Sequence, residues 1–200
     1  MPDAKDREGQ RVPAEPPELA EVDRPFVSVK ANLQAIPFPD LRLMYDHWLE
    51  LRGERPMPAR ADFDPAEVPL RILPNIMMVD VRYGPLAFTY RVWGTGVADL
   101  HGVDLTGASV MQVRPRTFAE MVWRQYVEVA ESKAPGLYLH KVPTKDGLLR
   151  AHAILRLPFS SDGKVVDIIL CVDDYCGRKE ELRLVFEEAS KAEVEDLTSV

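Results

Sequence analysis

Two Asp-Gly turns, Lys145-Asp-Gly147 and Ser161-Asp-Gly163, separate three apolar, β-branched runs, "GLYLHKV", "LLRAHAILRLPF" and "KVVDIILCV". Turns of this composition join neighbouring antiparallel strands, so the three runs form a meander. Upstream, "IMMVDVR" and "LAFTYRVW" flank Tyr83-Gly-Pro85 and read as a second hairpin. Between the two sets lies "TFAEMVWRQYVEVAESKAPG". Thr117 and Glu120 make a capping box. Phe118, Met121, Val122, Gln125 and Val129 share one face, which predicts a helix from Thr117 to Lys133 that ends before Pro135. Strand, strand, helical excursion, helix, three strands and a last helix need only hairpins and one helical crossover. The expected fold is α+β, a five-stranded antiparallel sheet with helices on one face, plus an N-terminal helix and a C-terminal amphipathic helix.

Four segments are expected along the chain. Residues 1–25 are rich in Pro, Glu, Asp and Arg and bury too little apolar surface to offset ordering entropy, so they predict a disordered tail. Residues 26–72 form a helical extension and a proline-rich linker. Within it "FVSVKANLQAIPFP" is ambiguous, whereas Leu41, Met44, Tyr45, Trp48 and Leu51 lie on one helix face, with Asp40 as N-cap and Gly53 past the end. Pro56, Pro58, Pro65 and Pro69 forbid a long helix beyond it, and a short helical turn is expected around Pro65 to Leu73. The core spans 73–175. Residues 176–200 follow as a charged helix with a narrow stripe of Leu182, Val185, Phe186 and Ala189.

Charge and composition exclude several roles. The net charge of −7 comes with no basic block, which argues against nucleic acid as a partner. No apolar run is long enough to span a bilayer, and the N-terminus has no signal-peptide apolar region. Cys171 and Cys176 fit neither a CxxC nor a zinc spacing. The chain reads as soluble, reduced and cytoplasmic. The break at Gly94-Thr-Gly96 lacks the third glycine of a dinucleotide fingerprint and lies among antiparallel strands, so it reads as a strand-to-helix corner.

Several short motifs occur in a fixed order: W-x-x-L-R-G at Trp48 to Gly53, D-P-x-x-x-P at Asp64 to Pro69, and L-P-x-I at Leu73 to Ile76. Y-R-x-x-G-T follows at Tyr90 to Thr95, and D-L-T-G at Asp104 to Gly107. Together with the element order, over roughly residues 40 to 180, they make the chain resemble a PAS domain, and more narrowly the stand-alone PAS proteins of alphaproteobacteria. The stretch "DYCGRKEEL", Asp174 to Leu182, resembles the junction at which PAS domains hand over to an output helix, with Cys176 in place of threonine. The resemblance implies a sensory module, with Asp174 and Arg178 as signal-hinge residues. No kinase, cyclase or DNA-binding segment is read after the last helix, so output is expected through contact with another protein. The resembling haem sensors hold their cofactor with a histidine on the long helix, which has none here. The flavin sensors use a cysteine before that helix, where this chain reads "VMQVRPRTF". Neither haem nor flavin is therefore expected.

The residues themselves leave three classes of function open. Phe88, Tyr90, Val122, Trp123, Tyr126 and Leu139 are placed to line a small-ligand pocket between sheet and long helix, or to fill it. In the second case the protein is a ligand-free adaptor. An enzyme on this frame has the least support: Ser109, Ser160 and Ser161 lack a nucleophile elbow, and Asp173-Asp174 reads more simply as a turn opener. Of the four histidines, His47 and His101 read as solvated. His140 and His152 fall opposite each other across the Asp-Gly turn, on an outer face with Tyr138 and Ile154. Leu137, Leu139, Ala151, Ala153 and Leu155 face the core. Two imidazoles lack a third ligand for a stable metal site but titrate near neutrality. An outward Tyr138, Ile154 and Ile169, together with Leu182, Val185 and Phe186, predict a homodimer.

Overall fold

The computed structural model describes residues 28–175 except 102, 114–115 and 144–148. The expected tail and the C-terminal helix lie outside these residues. Strand β1 (Ser28–Ala31) is followed by helix α1 (Pro39–Arg52), a hairpin of β2 (Ile76–Arg82) and β3 (Ala87–Trp93), and short α2 (Thr95–His101). Helix α3 (Arg116–Ser132) then leads into the meander β4 (Gly136–Pro143), β5 (Leu149–Phe159) and β6 (Ile168–Asp174). The fold is α+β, and its antiparallel sheet has the order β1-β4-β5-β6-β2-β3.

The sheet has six strands rather than five. The added strand comes from the ambiguous "FVSVKAN": Ser28 pairs with His140 and Ala31 with Leu137, which covers the open edge of β4. Helix α1 begins one residue before the expected cap. Pro39 holds the first helical position and the Phe38 carbonyl accepts from Arg42 N at 2.8 Å. A fixed φ and a missing N–H suit Pro to that place. Asp40, displaced into the first turn, pairs with Arg71 at 2.7 Å instead of capping. Gly53 ends the helix at φ 57, its N–H bonded to Leu49 O.

The place of α1, left open by the sequence, is the second face of the sheet. Trp48 is buried and its indole N–H donates to Pro158 O at 2.9 Å. The linker follows it down: Phe63 meets Phe159 edge-on with centroids 6.1 Å apart, and Pro58 O accepts from Ser160 N at 3.0 Å. Helix α3 covers the opposite face. Ile168 through Asp173 are consequently all buried in succession, as a strand with cover on both sides must be.

The Gly94-Thr-Gly96 corner has a steric cause. A Cβ built on Gly94 would lie 2.2 Å from Pro74 O and 2.6 Å from Ile76 O, both backbone atoms. One on Gly96 would lie 2.3 Å from Asn75 Oδ1. The corner is thus a close approach of two backbones, with α2 starting at Thr95 and the Gly94 carbonyl accepting from Ala98 N. The D-L-T-G motif protects the other sheet edge. Asp104 Oδ1 accepts from Thr106 N and Oγ1, and the next residues pair with β3 through Tyr90 N to Ala108 O at 2.9 Å and Gly107 N to Tyr90 O at 2.7 Å.

Gly94→Ala is expected to lower stability by about 1–3 kcal/mol or more, because the clash is with main chain that no rotamer change can relieve. Urea unfolding monitored by tryptophan fluorescence checks this, and an unchanged midpoint would refute the close approach.

Candidate functional site

Helix α3 presents Phe118, Val122, Gln125, Tyr126 and Val129 to the sheet, all of them buried, at a spacing that keeps them on one side of the helix. Beneath it strand alternation places Phe88 and Tyr90 from β3, Tyr138 and His140 from β4, His152, Ile154 and Arg156 from β5, and Cys171 and Asp173 from β6. The His140–His152 pairing and the Tyr138–Ile154 pairing occur in the expected register. Their face is the opposite of the expected one. His140 and His152 are 1% and 2% exposed, and Tyr138, Ile154 and Ile169 are buried as well. The outer apolar patch invoked for a dimer is therefore absent from these positions. The sequence showed one face apolar and one mixed, and with α1 and the linker on the apolar face, the mixed face receives α3.

Of the predicted pocket residues, Phe88, Tyr90, Val122, Trp123 and Tyr126 lie in this layer. Phe88 meets Trp123 edge-on at 4.8 Å and Tyr126 at 5.4 Å, while Tyr90 packs on Trp93 at 4.5 Å. Leu139 points to the other face, since it alternates with His140. Of the hinge residues, Asp174 is half-buried at the end of β6. Arg178 and the dimer residues Leu182, Val185 and Phe186 lie outside the described residues. His47, expected in solvent, is part-buried with its ring 6.4 Å from Phe63.

The centre of the layer is a residue the sequence reading passed over. Arg156 is 0% exposed. Its Nε and Nη2 donate to Gln125 Oε1 at 3.2 and 2.7 Å, and its Nη1 approaches Cys171 Sγ at 3.4 Å. The guanidinium carbon lies 4.0 Å from the centroid of Tyr126 and 5.7 Å from that of Tyr138. An arginine never loses its charge in a protein, so this cation is held by neutral dipoles and π faces. Its only signal in the sequence was a charge inside the apolar run "AILRLPF". Burial pushes the Cys171 thiol and the Tyr126 and Tyr90 phenols above their ordinary values, so all three stay protonated around the cation.

A second polar group joins the first. His140 and His152 stack edge-on with centroids 4.3 Å apart, and His152 Nε2 lies 3.7 Å from Asp173 Oδ2. That oxygen also accepts the Tyr175 hydroxyl, whose ring lies 5.0 Å from His152. Burial pushes the Asp173 carboxyl up to about 7, against the smaller opposing pull of the Tyr175 hydrogen bond and the Arg156 charge. Outside the layer, a groove of about 480 Å³ runs between β1 and α3, lined by Ser28, Lys30, Glu120, Arg124, Gln125 and Tyr138 among others. No cluster of three or more metal-ligating side chains occurs among the described residues.

A meander of three strands, a hairpin on its far side and one long helix laid over a polar core make an α+β domain with a helix-covered antiparallel sheet. The family model described as "PAS domain" matches residues 38–172, more than half the chain, and the protein belongs to that family. A search of curated proteins and one of solved structures each give no match. The chain thus carries a sensory or regulatory module, and no helix among its described residues is long and apolar enough to cross a membrane.

The Asp173 value sets a pH dependence. The folded protein keeps a proton that the unfolded chain releases from about 3.8 upward, so this carboxyl favours folding at low pH and costs stability as pH rises toward 7. Asp173→Asn removes that cost. Its stability relative to wild type is expected to rise between about pH 4 and 7 and to level off above, reaching on the order of 2–4 kcal/mol. Chemical denaturation across that range tests it; a difference that falls with pH would show the carboxylate to be the favoured form.

Proposed function

We propose that this protein is a sensor in which a small molecule is bound under α3, read by the polar layer around Arg156, and reported to a partner protein through the segment after β6. The observation that carries this reading is the buried cation itself. A charge kept in a core at such cost serves no packing purpose that an apolar side chain would not serve better. The Asp173–Tyr175 contact supports the route outward, because it ties the layer to the point where the chain leaves the sheet. Binding rather than catalysis is the proposed activity, in the cytoplasm. The contact of Phe88, Trp123 and Tyr126 favours a second reading, a ligand-free adaptor whose aromatic core is simply filled.

Native mass spectrometry of the full chain purified from its own host separates the two. A sensor is expected to carry a stoichiometric small molecule, and an adaptor none.

The output contact we propose is a homodimer through the stripe Leu182, Val185 and Phe186, with Asp174 and Arg178 as hinge. Covering Phe186 contributes about 1.5–3 kcal/mol. Phe186→Glu is therefore expected to weaken the dimer about tenfold or more in sedimentation at micromolar concentration, with native circular dichroism. A monomeric wild type would end the dimer proposal.

A further inference from the structure

Among the described residues Arg156 takes part in no ion pair within 4 Å. Asp173 feels its charge but lies beyond ion-pair distance, and burial pushes that carboxyl up toward its protonated form. The one oxygen hydrogen-bonded to the guanidinium among the described residues is an amide oxygen; its other partners are the Cys171 sulfur and the Tyr126 and Tyr138 faces. Gln125 Oε1 accepts from both Nε and Nη2, the edge of the guanidinium on which a carboxylate sets one oxygen against each nitrogen. A glutamine carbonyl here occupies the place of an anion without its charge.

That glutamine is also the wall of the groove. Gln125 lines the space of about 480 Å³ together with Ser28 and Tyr138, and its Nε2 donates to Ser28 Oγ at 2.6 Å. The same side chain thus touches the buried cation on its inner side and the groove on its outer side, with Tyr138 beside it. Of the acids on the groove, Glu128 is engaged by Lys30 and by the Tyr138 hydroxyl; the lining also carries Glu120 and Arg124.

We propose that the ligand of this site is a small carboxylate, which enters by the groove between β1 and α3 and replaces Gln125 Oε1 on the Nε and Nη2 edge of Arg156. The inference rests on the sensor reading and adds the class of ligand to it. Arg156 stays flanked by the faces of Tyr126 and Tyr138, so the donors left to the ligand lie in the guanidinium plane. A planar carboxylate matches that edge with two parallel bonds. Displaced, Gln125 keeps a partner in Ser28, and its movement shifts α3 against β1.

Gln125→Glu provides the test, with the full chain. If the site lacks an anion, a fixed carboxylate on the same carbon skeleton completes it. The variant is expected to melt several degrees above wild type and to lose its response to added acids at least tenfold. A variant melting below wild type would overturn the proposal, because the cation would then already be neutralised. Wild type is titrated by calorimetry and thermal shift with succinate and benzoate, against succinamide, benzamide and inorganic phosphate. At least one acid is expected to bind and the amides at least tenfold more weakly; equal response to acid and amide overturns the carboxylate claim. Preference for phosphate would give the site to a tetrahedral anion and overturn it as well. Arg156→Met, which replaces the cation with an apolar chain of similar length, is expected to fold and to bind none of the probes. Retained binding would place the acids elsewhere and refute the assignment. A neutral molecule found bound in protein from the host would sink the carboxylate class while leaving the sensor reading intact. Finding no small molecule there, with neither acid binding, would sink both.

Discussion

The guanidinium of Arg156 lies on a central strand with α3 over it and with the α1 layer on the opposite face, so it does not touch water. Every donor it carries has to be met from inside, and the groups that meet it come from α3, β4 and β6 at once. These contacts fit only one register of the meander. A slip of one residue in β5 would turn Arg156 into the layer of Leu155, Leu157 and Phe159 and lift those three against Gln125 and Tyr126.

The same face carries the second titratable group, and the two are coupled by charge. Asp173 lies two residues before Tyr175, the last described residue, and both touch His152 or its ring. The fixed Arg156 charge lowers the proton affinity of Asp173 against the larger effect of burial, and Asp173 holds the Tyr175 hydroxyl at the strand exit. In this PAS domain, a sensory or regulatory module, the chain of contacts joins the core to the end of β6.

The hairpins were legible because their causes are local. Tyr83-Gly-Pro85 sits between Arg82 and Leu86, and the turn pairs Arg82 with Ala87. His140 met His152 because pairing across a short turn follows from counting residues. Strand β1 was not legible: four residues with weak alternation form a strand only when β4 offers an open edge. Nor was the Asp40 position, since Pro39 could claim the first helical turn as well as Asp40 could claim the cap. The glycine corner was readable as a corner, but its reason, the Pro74 and Ile76 carbonyls pressed against Gly94, comes from a segment that only the sheet brings there.

By itself the sequence determined the element types, the antiparallel pairing and the alternation that sorts side chains onto two faces, because turn chemistry and the period of two act between near neighbours. Which face became the interior of the site was decided by the tertiary structure. Burial depends on what covers a surface, and here the covers come from far along the chain: Trp48 bonds to Pro158 across 110 residues and Gln125 to Ser28 across 97. With α1 on the apolar face, α3 covers the mixed one. That choice turned two histidines, an arginine and an aspartate, expected in water or passed over, into the polar core of the protein.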